Sequence, residues 1–237
     1  MLLKKIKITN FRNFDNKIFS FNSFLTIITG KNSVGKTSLM EAIYFSFKGC
    51  GFRNEKDEEL IQFDKSTVSV ETELADDQET VLYKVNMQKG QSLVKTCFIN
   101  KVKKRFYDYN NQTIPLAIFS PSFIYVIDGQ MGERRNFFDG ILSTIDKQYK
   151  NNLSDYERTL RKRNKIIEMA KNMSLLKEQL LFWDDHLIKQ ADYITSKRQK
   201  FINFLNNQGE FDYRHFNIKY LKNEISKKTL EATFEKQ

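Results

Sequence analysis

The chain has 237 residues, of which 40% are hydrophobic and 29% charged, with a formal net charge of +10. That length can bury a sizeable core, as one large domain or two unequal ones, and the balance is that of a soluble globular protein. No run reaches the roughly 18 apolar residues of a membrane helix. The start, Met1-Leu2-Leu3-Lys4-Lys5-Ile6-Lys7, lacks the apolar segment and cleavage site of a signal peptide. Cys50 and Cys97 form no framework of spacings, so a cytoplasmic address is expected.

In chain order, alternating apolar residues predict strands over 2–9 and 16–21, with Ile6 and Ile8, then Ile18, Phe19 and Phe21. The run Phe24-Leu25-Thr26-Ile27-Ile28-Thr29 is long enough for a buried strand and too short for a helix. After a glycine loop, Leu39, Ala42, Ile43 and Phe47 fall at helical spacing, and Lys36 to Lys48 reads as a helix ended by Gly49 and Gly51. Period-two patterns from Thr67 to about Phe106 predict an antiparallel meander, and Pro115 to Phe119 reads as another buried strand. From about Gly132 no proline occurs and long helical periodicity takes over. The expected division is 1–131, 132–206 as a helical lobe with an antiparallel pair, and 207–237 as the end of that lobe.

The loop Gly30-Lys31-Asn32-Ser33-Val34-Gly35-Lys36-Thr37 matches the Walker A pattern G-x-x-x-x-G-K-[ST]. Glycines let successive N–H groups turn inward into an anion nest, and the helix behind adds its N-terminal partial charge. Lys36 is expected at the β- and γ-phosphates and the Thr37 hydroxyl on Mg²⁺, with Asn32, Ser33 and Ser38 beside them. No Asn-Lys-x-Asp guanine-reading segment occurs, which favours ATP.

The residues around this loop resemble those of RecF, the bacterial recombination-repair ATPase family related to SMC and RecN heads. Ile6-Lys7-Ile8-Thr9-Asn10-Phe11-Arg12-Asn13-Phe14 resembles that family's opening, and Gly35-Lys36-Thr37-Ser38-Leu39-Met40-Glu41-Ala42-Ile43-Tyr44 is similar to its G-K-T-N-L-L-E-A-I-Y. Phe52-Arg53, Glu59-Leu60-Ile61, Phe119-Ser120-Pro121, Glu133-Arg134-Arg135, Tyr156-x-Arg158 and Trp183-Asp184 follow in family order across essentially the whole chain.

The resemblance implies an α/β fold: a P-loop NTPase of the ABC-ATPase-head type, with a mixed sheet around the P-loop helix, an antiparallel meander and a helical lobe. It implies ATP and Mg²⁺ as cofactors, and Arg12 and Asn13 near the nucleotide. It further implies single-stranded or gapped DNA as a partner, an ATP-dependent homodimer, other recombination mediators, and roles in repair, replication and the SOS response. Ser122 and Phe123 stand where the family usually has Glu-Asp. No Walker B strand or Leu-Ser-x-Gly-like signature occurs, and the family's later elements would follow Gln237. A C-terminally truncated or incomplete head is therefore expected, with no catalytic residue in this chain and no hydrolysis by these residues alone. Leu180 to Asp185 superficially fits a Walker B but sits in helical periodicity.

Residues 1–149 carry 21 basic and 17 acidic side chains, a net of +4, whereas 150–200 carry 12 and 7, a net of +5. Three basic clusters could meet a phosphate backbone: Lys101 to Arg105 (with Lys103, Lys104 and Arg105), Arg158 to Lys165, and Lys197 to Lys200. In the second, Arg158, Arg161 and Lys165 form one helical stripe, read equally well as a solvated face. Arg134 and Arg135 read as structural at a helix start. His186 and His215 lack a cluster at ligand spacing, so no zinc is expected. Competing readings are an ATP-switched DNA-binding module without hydrolysis and an OLD-type P-loop head.

Overall fold

The computed structural model describes residues 1–53, 55–170, 173–208, 217–222, 225–226 and 229–230. His215 and most of the expected segment 207–237 lie outside these residues. The chain divides into two compact units, Met1–Ile118 and Phe119–Gln237.

The first unit is a six-stranded sheet with helices packed on it. Its strands are β1 (Leu2–Phe11), β2 (Phe14–Ser20), β3 (Thr67–Ala75), β4 (Thr80–Lys89), β5 (Leu93–Ile99) and β6 (Val102–Lys104), in the order β2-β1-β3-β4-β5-β6. Every pairing among them is antiparallel. The period-two pattern explains which face is covered. Val68, Val70 and Leu74 of β3, Tyr83, Val85 and Met87 of β4 and Ile6 and Ile8 of β1 are all buried.

Helix α1 (Lys36–Lys48) packs on β1, β3 and β4. It buries Leu39, Ala42, Phe45 and Phe47, and the Phe45 ring lies 5.6 Å from that of Phe11. Gly49 closes the helix in the left-handed conformation (φ 68°), its N–H donating to Phe45 O at 2.8 Å, a C-cap where glycine carries no Cβ penalty. Helix α2 (Phe106–Gln112), which the alternation did not predict, buries Tyr109, whose hydroxyl donates to Ser46 O. Burial pushes the Tyr109 phenol far above its ordinary pKa, so it remains a donor.

Two expected strands are not strands. Residues 24–29 are unpaired, and Phe24, Leu25 and Ile27 are exposed, with Ile28 alone packed against the core. Residues 115–119 are likewise unpaired, and Phe119 is exposed. An apolar run supplies strand composition, but a strand also needs a neighbour for its backbone groups. No neighbour among the described residues provides one.

The second unit is helical: α3 (Tyr125–Asp128), α4 (Met131–Ile145), α5 (Lys147–Met169) and α6 (Met173–Asn206). Helical structure thus sets in at Pro121, ahead of residue 132. Near the start of α5, Tyr149 packs with Ile194 late in α6, whereas Ile166 and Ile167 pack with Leu176 and Leu180. The long helices therefore run antiparallel. Their starts are marked locally. Gln130 and Glu133 form a capping box on α4, and Asp146 accepts from Tyr149 N at 2.9 Å to cap α5.

Candidate functional site

The loop between residues 30 and 37 rises from the exposed 24–29 segment and ends in α1. Ser33 (φ 66°) and Gly35 (φ 105°) both take the left-handed conformation, which turns the backbone around the loop. At Gly35 a Cβ would lie 2.7 Å from Asn13 Nδ2 and 2.7 Å from Phe14 Cζ, so no larger residue fits without displacing them. The expected Asn13 is thereby brought onto the loop.

The N-terminus of α1 has no side-chain cap and no acidic residue in its first turn. Leu39 N is the first amide to bond back, to Gly35 O at 2.9 Å. The preceding N–H groups and the helix dipole therefore face the loop without a carboxylate to neutralise them, the electrostatics of an anion site. Lys36 Nζ donates to Gly30 O at 2.8 Å and Lys31 O at 2.6 Å, so the ammonium sits across the loop. Lys31, Asn32, Ser33, Val34 and Thr37 are exposed, and Ser38 is half-buried.

A cavity of about 690 Å³ adjoins the loop. Arg12, Asn13, Ser33 and Ser38 line it together with Glu58, Glu59, Ile61, Gln62, Phe63, Asp64, Lys65 and Lys89. Arg12 and Asn13 thus share one space with loop residues, although they precede them by some twenty positions in sequence. The turn between β1 and β2 is stitched to the segment after α1. Arg12 N donates to Leu60 O, and Gln62 N to Asn10 O, both at 2.9 Å.

Sequence reasoning missed the acidic partners of Arg12. Its Nε donates to Glu41 Oε2 at 3.0 Å and its Nη2 to Glu55. Burial lowers the Arg12 pKa, but the hydrogen bonds and charges of Glu41 and Glu55 together raise it above its ordinary value. Glu41 is fully buried, and Arg53 Nε lies 3.8 Å from the same oxygen. The available signal was a glutamate beside Leu39, Ala42 and Phe45 on the apolar face of a helix.

The basic clusters fare differently. Lys103 is exposed at the end of the sheet, Lys104 is half-buried, and Arg105 pairs with Asp108 at 3.0 Å. Arg158, Arg161 and Lys165 are all exposed on α5, with Arg158 paired to Asp155 at 2.6 Å. Arg163 within the same cluster is buried and paired with Asp184 at 2.6 Å, so it leaves that face. Lys197 and Arg198 are taken up too, by Asp146 and Asp139. Arg134 Nη1 donates to the carbonyls of Ile127 and Gly129 at 3.1 and 2.9 Å. Residues 180–185 lie inside α6. Among the described residues no three His, Cys, Asp or Glu side chains form a metal-binding group, and no helix is long and apolar enough to cross a membrane.

Comparison with known proteins extends this picture. A DNA replication and repair protein RecF of Agathobacter rectalis is 31% identical over 206 residues, covering 87% of this chain and 56% of that protein. The protein of the same name from Clostridium botulinum is 28% identical over 230 residues, covering 94% and 62%. A solved structure of the recombination mediator protein RecF with ATP in the RecFOR pathway superposes with a TM-score of 0.77 at 28% identity, over 87% of this chain and 55% of that one. The chain therefore spans little more than half the length of these relatives. The AAA ATPase domain family matches residues 1–237. A loop whose lysine bridges two of its own carbonyls and whose helix is uncapped is thus set in a chain that belongs to the AAA ATPase domain family and is similar to RecF.

Proposed function

We propose that this chain binds ATP with Mg²⁺ at the 30–38 loop and serves as a RecF-like, DNA-binding component of recombinational repair. The observation that carries the reading is the position of Lys36. Its ammonium bridges two loop carbonyls at the mouth of an uncapped helix, where the β- and γ-phosphates of a nucleotide would replace them as acceptors. The Thr37 hydroxyl would take one Mg²⁺ position, and Arg12 and Asn13 would meet the nucleotide from the adjoining cavity. Mg²⁺ supplies charge neutralisation on the phosphates when bound.

The exposed stripe of Arg158, Arg161 and Lys165 would hold single-stranded or gapped DNA by its phosphates, and Lys103, Lys104 and Arg105 on the sheet unit would form a separate phosphate contact. The RecF relatives, one named for DNA replication and repair and one a recombination mediator solved with ATP, support repair and replication as the setting. A cytoplasmic location, an ATP-dependent pairing of two copies, mediator-protein partners and a link to the SOS response belong to the same proposal.

Titration with a fluorescent ATP analogue tests the reading. Lys36→Ala is expected to abolish binding while circular dichroism stays unchanged, and wild-type affinity in that variant would overturn it. In the same preparation, affinity for single-stranded DNA should fall steeply with salt, and a flat response would remove the DNA half of the proposal.

A further inference from the structure

Glu41 is an expensive residue where it stands. It lies one helical turn beyond Thr37 on α1, and it is fully buried on the helix that also buries Leu39, Ala42 and Phe45. Burying a carboxylate costs far more than burying the leucine that would suit this face, unless it is paired. Its partner is Arg12, donating from Nε at 3.0 Å. Arg53 approaches the same oxygen at 3.8 Å, too far for a hydrogen bond.

The geometry divides the Arg12 guanidinium into two edges. The Nε and Nη2 edge is occupied by Glu41 and Glu55, and Nη1 has no hydrogen bond among the described residues. The two acids are not equivalent. Glu55 is 38% exposed and free to change rotamer, whereas Glu41 is fixed in the core by the helix that begins with Lys36 and Thr37. The Arg12 backbone, at φ 51°, is pinned separately by its N–H to Leu60 O at 2.9 Å.

We infer that Glu41 is a positioning residue for the nucleotide site: it registers the Arg12 guanidinium against the loop through the body of α1 and leaves the Nη1 edge for the ligand. This inference rests on reading the loop as an ATP site. The helix carries both the uncapped N–H groups and the carboxylate, so loop and arginine keep a constant relation. Preorganisation of this kind lowers the cost of ordering a long side chain on binding.

The test is a double-mutant cycle on the full 237-residue chain, read by titration with a fluorescent ATP analogue. Glu41→Gln and Arg12→Ala should each weaken binding by about tenfold. The double variant should bind no more weakly than Arg12→Ala, because Glu41 acts through the arginine. A purely structural Glu41 would lower the melting temperature yet leave the affinity of the folded protein unmoved. Affinity of Glu41→Gln within twofold of wild type, or single losses that multiply in the double variant, overturns the inference. Should Glu41→Gln not fold, Glu55→Gln decides. It removes the exposed acid alone and is expected to stay within twofold, whereas a tenfold loss there would assign the role to Glu55. Lys36→Ala separates the two levels. If it leaves binding intact the ATP reading fails, and if it abolishes binding while Glu41→Gln is neutral only the inference fails.

Discussion

The two units of this chain solve the same problem with different materials. In the sheet unit one continuous apolar cluster runs from Ile6 and Ile8 through Phe11, Phe45 and Phe47 to Val85 and Tyr109. Among the described residues of the helical unit the apolar clusters are small, Leu142 with Tyr149 and Ile194, then Leu176 with Leu180, and buried charge lies between the helices. Arg198 grips Asp139 with Nε at 2.8 Å and Nη2 at 2.6 Å, and Tyr149 donates to the same carboxylate at 2.6 Å. Burial and that hydrogen bond hold the Tyr149 phenol well above its ordinary pKa. A sheet face presents alternate residues to one covering helix and can be mostly apolar, with Thr72, Ser46 and Glu41 as the buried polar exceptions here. Long antiparallel helices with polar sequences must instead satisfy charges that their own packing buries.

Three tests would break or sharpen that contrast. The largest effect is expected at Phe45→Ala, which empties a fully buried site beside Phe11 and should cost about 3–5 kcal/mol in denaturant unfolding of the sheet unit. A loss below about 1 kcal/mol would mean that the core is looser than its burial indicates.

Asp184→Ala comes next. It deprives the buried Arg163 of its carboxylate, and the helical unit should lose about 3 kcal/mol. Asp184→Ala paired with Arg163→Met should recover part of that loss, since it also removes the buried charge that Asp184 balances. Failure to recover would show that the pair contributes by attraction instead.

The smallest effect belongs to Asp146. Its hydrogen bonds to Lys197 and to Tyr149 N hold its pKa below the usual carboxylate value. A depressed carboxylate pKa contributes stability above the unfolded value of about 3.9, and that stability is lost as pH falls through the folded value. Helical circular dichroism should therefore melt earlier below about pH 4 in wild type. Asp146→Asn, which still caps α5, should flatten that dependence, whereas Asp146→Ala should cost about 1 kcal/mol at neutral pH.

Much of the candidate site was legible without coordinates. The Walker A spacing located the loop, and the helical spacing of Leu39, Ala42 and Phe47 set α1 at Lys36–Lys48. The likeness to RecF placed Arg12 and Asn13 beside it. What escaped were the particular side-chain contacts between residues distant in sequence. Arg12 and Asn10 are left-handed (φ 51° each), which takes them out of the strand alternation. Phe24 to Thr29 has a strand's composition without a strand's neighbour. Arg163, Lys197 and Arg198 sit in basic clusters in sequence, yet ion pairs with Asp184, Asp146 and Asp139 remove them from the surface charge.

Sequence alone therefore determined what is local: the period of β1 to β5 and of the long helices, the glycines of the loop and the helix end at Gly49. These follow from backbone sterics and from hydrogen bonds that reach only a few residues along the chain. Tertiary structure decided which charges are spent and which remain. That is a matter of distance and burial between segments. The glutamate at position 41 shows the division best. Its place on α1 could be read from spacing, but its hold on Arg12, 29 positions earlier, exists only once β1 and α1 pack face to face.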